Sequence, residues 1–454
     1  MRLWDYIKEH MMEHAEQLIC ENNASLTFED VAIWAETFAK QLKGKKCCGI
    51  LCHSEMAASM ALLACFAAEV TALPLSMRYG AAHCNKILSV ISPDSMIMDD
   101  GDGLHVTNIS DNRYVVPHEH PALIMCTSGT TGMPKGAMLG EHSIIANVED
   151  ISEYFGIGKA DTILICRPLY HCAVLTGEFL TALVKGCKVR FYSEQFNPPK
   201  MLELIQTYEV TAFCGTPTLL SLMARFKRRQ DVDTLKHICV SGECMGREAG
   251  LRIADAFPNS RIYHVYGLTE ACPRVSYLPP KLFRRHPDCV GYPLRSVSMR
   301  ILDGNGKRCE VGEPGILWIS GENIMIGYYN DPERTSKVLK DGWLCTGDLA
   351  MTTSSGLLKI KGRNDDLIIK AGMNIYPAEV EIAVKQDPRT KEVLVYGYED
   401  RFGVQIGMKI VGDFSTVDEV YALCKEVLAG FQYPNKIEIL SELPKNGSGK
   451  IIRR

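Results

Sequence analysis

The chain has 454 residues, 46% hydrophobic and 23% charged, with a formal net charge of −4. That length supports two or more domains with ample core, and the balance is that of a soluble globular protein. So small a net charge supplies no global field to recruit nucleic acid or an acidic membrane.

Apolar residues at helical spacing predict a helix over 28–42. An apolar strand follows over 48–52, then a helix over 56–69 and a strand over 71–75. The long apolar stretch from 56 to 75 is broken by Ser59, Glu69 and Thr71, so it reads as buried helix plus strand and no membrane span is expected. The same beat returns with strands over 161–166, 188–192 and 211–214 and helices over 178–185 and 200–208. Such alternation means βα units and largely parallel sheet. Arg225-Phe226-Lys227-Arg228-Arg229 reads as a solvated helix end in preference to a site for anionic phosphates such as those of coenzyme A. From about 290 the rhythm changes to short strands over 297–302, 315–320 and 357–360, separated by glycine turns. The fold class expected is α/β. A large N-terminal domain over 1–362 would carry βα-type sheets and a β-rich subdomain over about 290–362, followed by a small α+β domain over 363–454.

Eighteen cysteines contain no Cys-x-x-Cys, and many sit in apolar surroundings, as Cys166, Cys214 and Cys239 do. They read as small buried hydrophobes, and with no N-terminal signal region the expectation is a reducing cytoplasm. The histidines lack metal-ligand spacing, so no structural metal is expected.

Directly after the apolar run 122–126 comes Thr127-Ser128-Gly129-Thr130-Thr131-Gly132-Met133-Pro134-Lys135-Gly136. Small residues let the backbone turn its N–H groups onto an anion, and hydroxyls and a lysine add further donors. The pattern reads as a phosphate loop. It is not a Walker A loop, because Pro134 precedes the lysine and Gly136 follows it. Downstream, Tyr266-Gly267-Leu268-Thr269-Glu270 follows a strand predicted over 261–265. It offers a stacking surface, a phosphate donor and an oxygen ligand for magnesium. Trp343-Leu344-Cys345-Thr346-Gly347-Asp348-Leu349 places a carboxylate at a predicted turn after a strand, where it can accept both hydroxyls of a ribose. The run from Gly362 to Glu381 joins two aspartates to a Lys-x-Gly-x-Asn-Ile-x-Pro-x-Glu-x-Glu pattern, and the tail ends in Lys445-Asn446-Gly447-Ser448-Gly449-Lys450-Ile451.

Together, from Ala122 onward, these motifs resemble those of the adenylate-forming superfamily: acyl-CoA synthetases, firefly luciferase and the adenylation domains of peptide synthetases. The resemblance implies that Thr127, Ser128, Gly129, Thr130, Thr131, Gly132 and Lys135 hold the phosphates of ATP, with Thr130 and Glu270 on Mg2+. It implies that Tyr266 and Gly267 lie on adenine, flanked by Gly242, Glu243 and Cys244, and that Thr269 contacts the α-phosphate. The Ser241-Gly242-Glu243-Cys244-Met245 stretch departs from the family's usual Ser-Gly-Gly; either Glu243 accepts from the adenine amino group through side chain or backbone, or the base contact is modified. Asp348 and Arg363 are implied for the ribose. Asp365 is implied as the hinge of a mobile small domain, Gly372 for the thiol channel, and Lys450 as the catalytic lysine between substrate carboxylate and α-phosphate.

Arg167-Pro168-Leu169-Tyr170-His171 is similar to the segment before the acyl pocket of acyl- and aryl-CoA synthetases. It implies His171 as a catalytic gate, with His171, Cys172, Val174, Gly215 and Thr216 around the acid. Amino-acid-activating relatives carry an aspartate near position 172. This chain has Cys172, Ala173 and Val174, so a fatty or aromatic acid without a free α-amine is expected. The implied reaction is ATP-dependent formation of acyl-AMP and pyrophosphate, then transfer to the thiol of coenzyme A. The phosphopantetheine of an acyl or peptidyl carrier protein is the alternative acceptor. A non-catalytic acyl or nucleotide binder is the second alternative.

Overall fold

Short apolar strands, closed by glycines, prolines and helix caps, build two large sheets in the N-terminal part. The computed structural model describes all residues except 101–102, 110–112, 129–132, 228–231, 371–372, 402, 446–450 and 454. The first sheet has nine strands, in the order Tyr292–Pro293, Arg274–Leu278, Arg261–Gly267, His237–Val240, Ala212–Gly215, Thr162–Ile165, Lys188–Phe191, Leu18–Glu21 and Ala24–Thr27. Its six central strands are parallel and its outer ones antiparallel. The second has seven, in the order Gly327–Tyr328, Pro134–Leu139, Leu123–Ser128, Thr71–Pro74, Cys47–Leu51, Ser95–Asp99 and Leu104–Asn108.

One cluster of buried side chains spans both sheets, with Ile50, Ala72 and Leu123 from the second and Ile163, Val189 and Val265 from the first. The helix Glu55–Ala67 is buried nearly all round, as its apolar composition requires. The helix Phe28–Ala39 starts at Thr27, whose hydroxyl and the Asp30 carboxylate cap each other's backbone N–H. The β-rich part is an antiparallel sheet of Val297–Leu302, Gly315–Gly321, Trp343–Thr352 and Leu358–Arg363, with the short Leu339–Lys340 beside it. The last segment folds Thr390–Asp400, Gly403–Gly412 and Lys436–Ile439 into a sheet with a core of its own around Val380, Val393, Ile406 and Val420.

The architecture is the mixed α/β class that the sequence predicts. Two local expectations change. The helix expected over 178–185 begins at Cys172 and runs as Cys172–Val174, a π-helical stretch Leu175–Leu180, and Thr181–Val184. Asp348 lies inside the strand Trp343–Thr352 and not at a turn after it. Pairing on both sides, to Gly315–Gly321 and Leu358–Arg363, holds that segment extended, while Gly347 absorbs a φ of 72°. The cysteines are free thiols and most are buried. No helix among the described residues is long and apolar enough to cross a membrane.

Candidate active site

The glycine loop joins two antiparallel strands. Leu123–Ser128 leads in and Pro134–Leu139 leads out, with Thr127 opposite Lys135 and Ser128 opposite Pro134. A P-loop leads from strand to helix, so this geometry agrees with the reading of Pro134-Lys135-Gly136 against a Walker A motif. Gly129, Thr130, Thr131 and Gly132, expected on the phosphates, lie outside the described residues, as do Gly372 and Lys450.

Lys135 points over the ring of Tyr328, its ammonium 5.3 Å from the ring centroid. Burial lowers its pKa below the ordinary lysine value, partly offset by the negative charges of Glu270 and Asp365. Tyr328 also donates its hydroxyl to Oε1 of Glu270 at 2.8 Å. The aromatic side chain thus links the lysine of one motif to the carboxylate of another. Glu270 lies in the short 3-10 turn Thr269–Ala271 beyond the strand Arg261–Gly267, and its carbonyl accepts from Met325 N–H at 2.9 Å. Asn323, fully buried, donates to the carbonyls of Ala271 and Arg274 at 2.9 and 2.7 Å and fixes the backbone just past this turn.

Tyr266 leaves the same strand and donates its hydroxyl to Oδ2 of Asp348 at 2.5 Å. Arg363, paired in register with Asp348, donates to Oδ1 at 3.1 Å and to the Thr346 carbonyl at 3.1 Å. Burial pushes the Asp348 carboxyl above the usual carboxylate range, with Arg363 and Tyr266 pulling the other way. A carboxylate has about four acceptor sites, so two remain for a diol after these bonds. Tyr266, Asp348, Arg363, Glu270 and Lys135 therefore lie about one region, although they come from three separate sheets.

Other candidates fall differently. Glu243 is engaged by Thr218, whose backbone N–H and hydroxyl donate to Oε2 at 3.2 and 2.6 Å. Its carboxylate therefore serves the first turn of the helix Pro217–Phe226 in this state. Gly242 has φ +93°, a conformation that suits glycine. Cys244 follows on the exposed side. Thr216 caps that same helix through its hydroxyl, and Gly215 packs on Leu220. His171 stands before the helix Cys172–Val174 with its ring edge-on to Tyr170 at 5.5 Å. Cys172 and Val174 are buried in the wall behind it. Burial lifts the Cys172 thiol to about 12, so it stays neutral.

Sequence reading missed Tyr328 and Asn323. Both bonds run between segments about fifty residues apart, and neither residue lies in a periodic or glycine-rich pattern. Asp365 sits in the short turn Asn364–Asp366 between the β-rich sheet and the last segment. Across it, Lys361 pairs with Glu379 of the helix Pro377–Val384. Arg453 makes a two-pronged ion pair with Glu381 at 2.7 and 2.8 Å and approaches Asp366 at 3.4 Å, tying the tail beyond Lys450 to this junction.

Comparison with known proteins places this arrangement. The family described as AMP-binding enzyme matches residues 7–329, and the AMP-binding enzyme C-terminal domain matches 379–450. The chain is 32% identical over 354 residues to a long-chain-fatty-acid–CoA ligase of Yersinia pestis, covering 75% of this chain and 62% of that one. It is 33% identical over 337 residues to a feruloyl-CoA synthase of an Amycolatopsis species, covering 73% and 68%. The chain thus spans somewhat under two thirds of the length of the fatty-acid ligases it matches. Among solved structures, O-succinylbenzoate coenzyme A synthetase from Bacillus subtilis in complex with ATP and magnesium superimposes with a TM-score of 0.87 at 26% identity, covering 99% of this chain and 98% of that one. With the site residues arranged as described and both family domains matched in order, the chain belongs to the AMP-binding enzyme family.

Proposed function

We propose that this protein activates a carboxylic acid lacking a free α-amine as its acyl-adenylate, using ATP, and then transfers the acyl group to the thiol of coenzyme A. The observation that carries the reading is the meeting of Tyr266, Asp348 and Arg363 with the Glu270–Tyr328–Lys135 chain, in a member of this family. Asp348 and Arg363 take the ribose and Tyr266 the base. Lys135 and Thr127 address the phosphates, and Thr269 the α-phosphate. Glu270 is a half-exposed carboxylate held on one oxygen, which fits a divalent ion that shares its ligands with phosphate oxygens. Magnesium held there would neutralise phosphate charge as pyrophosphate departs.

In the first step a carboxylate oxygen attacks the α-phosphorus and pyrophosphate leaves. Lys450 is assigned the place between the two anions, where a fixed cation would lower the barrier by several kcal/mol. In the second step the sulfur attacks the acyl carbonyl, AMP leaves, and the thiol proton passes to solvent. Residues 1–362 form the nucleotide and acid domain. Residues 363–454 form a small domain that turns about Asp365 between the steps, with Gly372 assigned to the thiol channel. His171, with Cys172, Val174, Gly215 and Thr216, borders the acid. We place the reaction in the cytoplasm, where free thiols such as these persist.

ATP–pyrophosphate exchange across fatty, aryl and amino acids, followed by coenzyme A with the best acid, tests this. Exchange with a fatty or aryl acid and then acyl-CoA formation is the expected result. Exchange without acyl-CoA would redirect the second step to a carrier protein. No exchange with any acid would contradict the reading.

A further inference from the structure

Below the nucleotide motifs lies a group of buried charges that the chemistry of ATP does not use. Arg274 opens the strand Arg274–Leu278 and pairs in register with Gly267. The register shift between Tyr266 and Gly267 puts Arg274 on the face of the sheet that also carries Val265, Tyr263 and Cys239. Its side chain crosses this face to Cys239, with Nη2 3.9 Å from the sulfur. On the other side it lies against Gly177 in the π-helical stretch of the acid-pocket wall, where a Cβ would stand 2.9 Å from the same nitrogen. Gly177 is the residue that makes room for a guanidinium.

That guanidinium is 1% exposed, and its Nε has no hydrogen-bond partner among the described residues. Beside it Arg167 is paired with Glu178, which is fully buried. Nε of Arg167 and Oε2 of Glu178 are also unpartnered among the described residues, and the buried Tyr154 hydroxyl lies in the field of Arg274. Burial pushes the Glu178 carboxyl up while both guanidiniums pull it down. Glu178 bonds Arg167, and among the described residues no carboxylate makes an ion pair with Arg274. Two guanidiniums, which keep their charge at every accessible pH, therefore share one carboxylate. A surplus cation in a dry interior is strongly unfavourable unless an anion joins it.

We infer that the acid activated by this enzyme is a short or compact dicarboxylic acid whose second carboxylate is held by Arg274. The inference rests on the adenylation reading above. Arg274 is strand-adjacent to Gly267, two residues before the Thr269-Glu270 turn, to which the proposed function assigns the α-phosphate that the reacting carboxylate attacks. A second carboxylate at the far end of a compact acid meets the unpartnered Nε and restores charge balance. A long alkyl chain would instead have to bury its tail against a guanidinium, with no compensating bond.

The test is ATP–pyrophosphate exchange with glutarate, adipate and isophthalate, each beside its own monomethyl ester, which keeps the shape and removes one charge. Wild type is expected to favour the best diacid over its ester by about 100-fold in kcat/KM, the scale of a buried charge pair losing one partner. Arg274→Met is expected to narrow that ratio to within about tenfold through the diacid's KM, with the KM for ATP unchanged. Arg274→Lys is expected to keep part of the preference. If the substituted proteins do not fold, the wild-type ratio decides alone. Equal or better use of the esters, or of monocarboxylic fatty or aryl acids, overturns the inference and leaves adenylation standing. Absence of exchange with every acid removes the adenylation reading, and the inference with it.

Discussion

Replacing Tyr328 with Phe removes one hydroxyl and keeps the ring, so it isolates the link between Tyr328 and Glu270. The hydroxyl donates to Oε1 of Glu270 at 2.8 Å, and Tyr328 is 5% exposed. Hydrogen bonds to charged groups are worth about 1.5–3 kcal/mol, and the half-exposed Glu270 puts this one at the lower end. About 1.4 kcal/mol is a factor of ten, and loss of a residue that orients a metal ligand typically costs about 10–100-fold in metal affinity. Tyr328→Phe should therefore raise the Mg2+ concentration needed for half-maximal ATP–pyrophosphate exchange by about tenfold. The ring remains under Lys135 at its 5.3 Å separation, so that contact is kept. The assay is exchange titrated with Mg2+ at saturating acid, repeated with acid titrated at saturating Mg2+. The KM for acid should stay within about twofold. An unchanged Mg2+ dependence, or equal losses on both axes, would refute the assignment of Glu270 as the metal-facing carboxylate.

Lys450→Ala should abolish adenylate formation and leave thiolysis of supplied acyl-AMP largely intact; single-turnover assays of each half-reaction decide it. Asp365→Pro should spare the first half-reaction and cripple the second, and equal loss of both would sink the domain swing. Asp348→Asn should lose nucleotide binding, seen by calorimetry, without a fall in Tm near neutral pH. Burial raises the Asp348 pKa, so the folded state disfavours its charge above the usual carboxylate range. As pH falls through that raised pKa the wild type takes up the proton and the cost disappears, so the difference in Tm should close in acid. Arg453→Met removes the two-pronged pair to Glu381 that anchors the tail, and should lower kcat for adenylation more than it raises the KM for ATP.

Much of the fold was readable because the signals were local. The strands around 162–165, 188–191 and 212–215 are short apolar runs cut off by aspartate, glycine or a helix cap, and each lies within a residue or two of its expected place. Asp348 was misplaced because Thr-Gly-Asp has the composition of a turn, and only pairing on both sides reveals it as extended. The helix expected from 178 starts six residues earlier, at Cys172, and passes through Gly177 in a π-helical stretch. Its reason lies in Arg274, nearly a hundred residues away. Nothing local marks Arg274 as buried, since its burial comes from other elements packing over it. The nucleotide residues were legible as motifs, whereas Tyr328, which joins two of them, is visible only in three dimensions.

The most direct measurement follows oxygen. Turnover of ATP and coenzyme A with the best acid, labelled with 18O in the reacting carboxylate, should place one labelled oxygen in the AMP released, because the carboxylate oxygen that attacks the α-phosphorus stays there when the thiol displaces AMP. Label found in inorganic phosphate, or AMP released without label, would contradict an acyl-adenylate intermediate and with it the roles of Asp348, Glu270 and Lys450 in forming one.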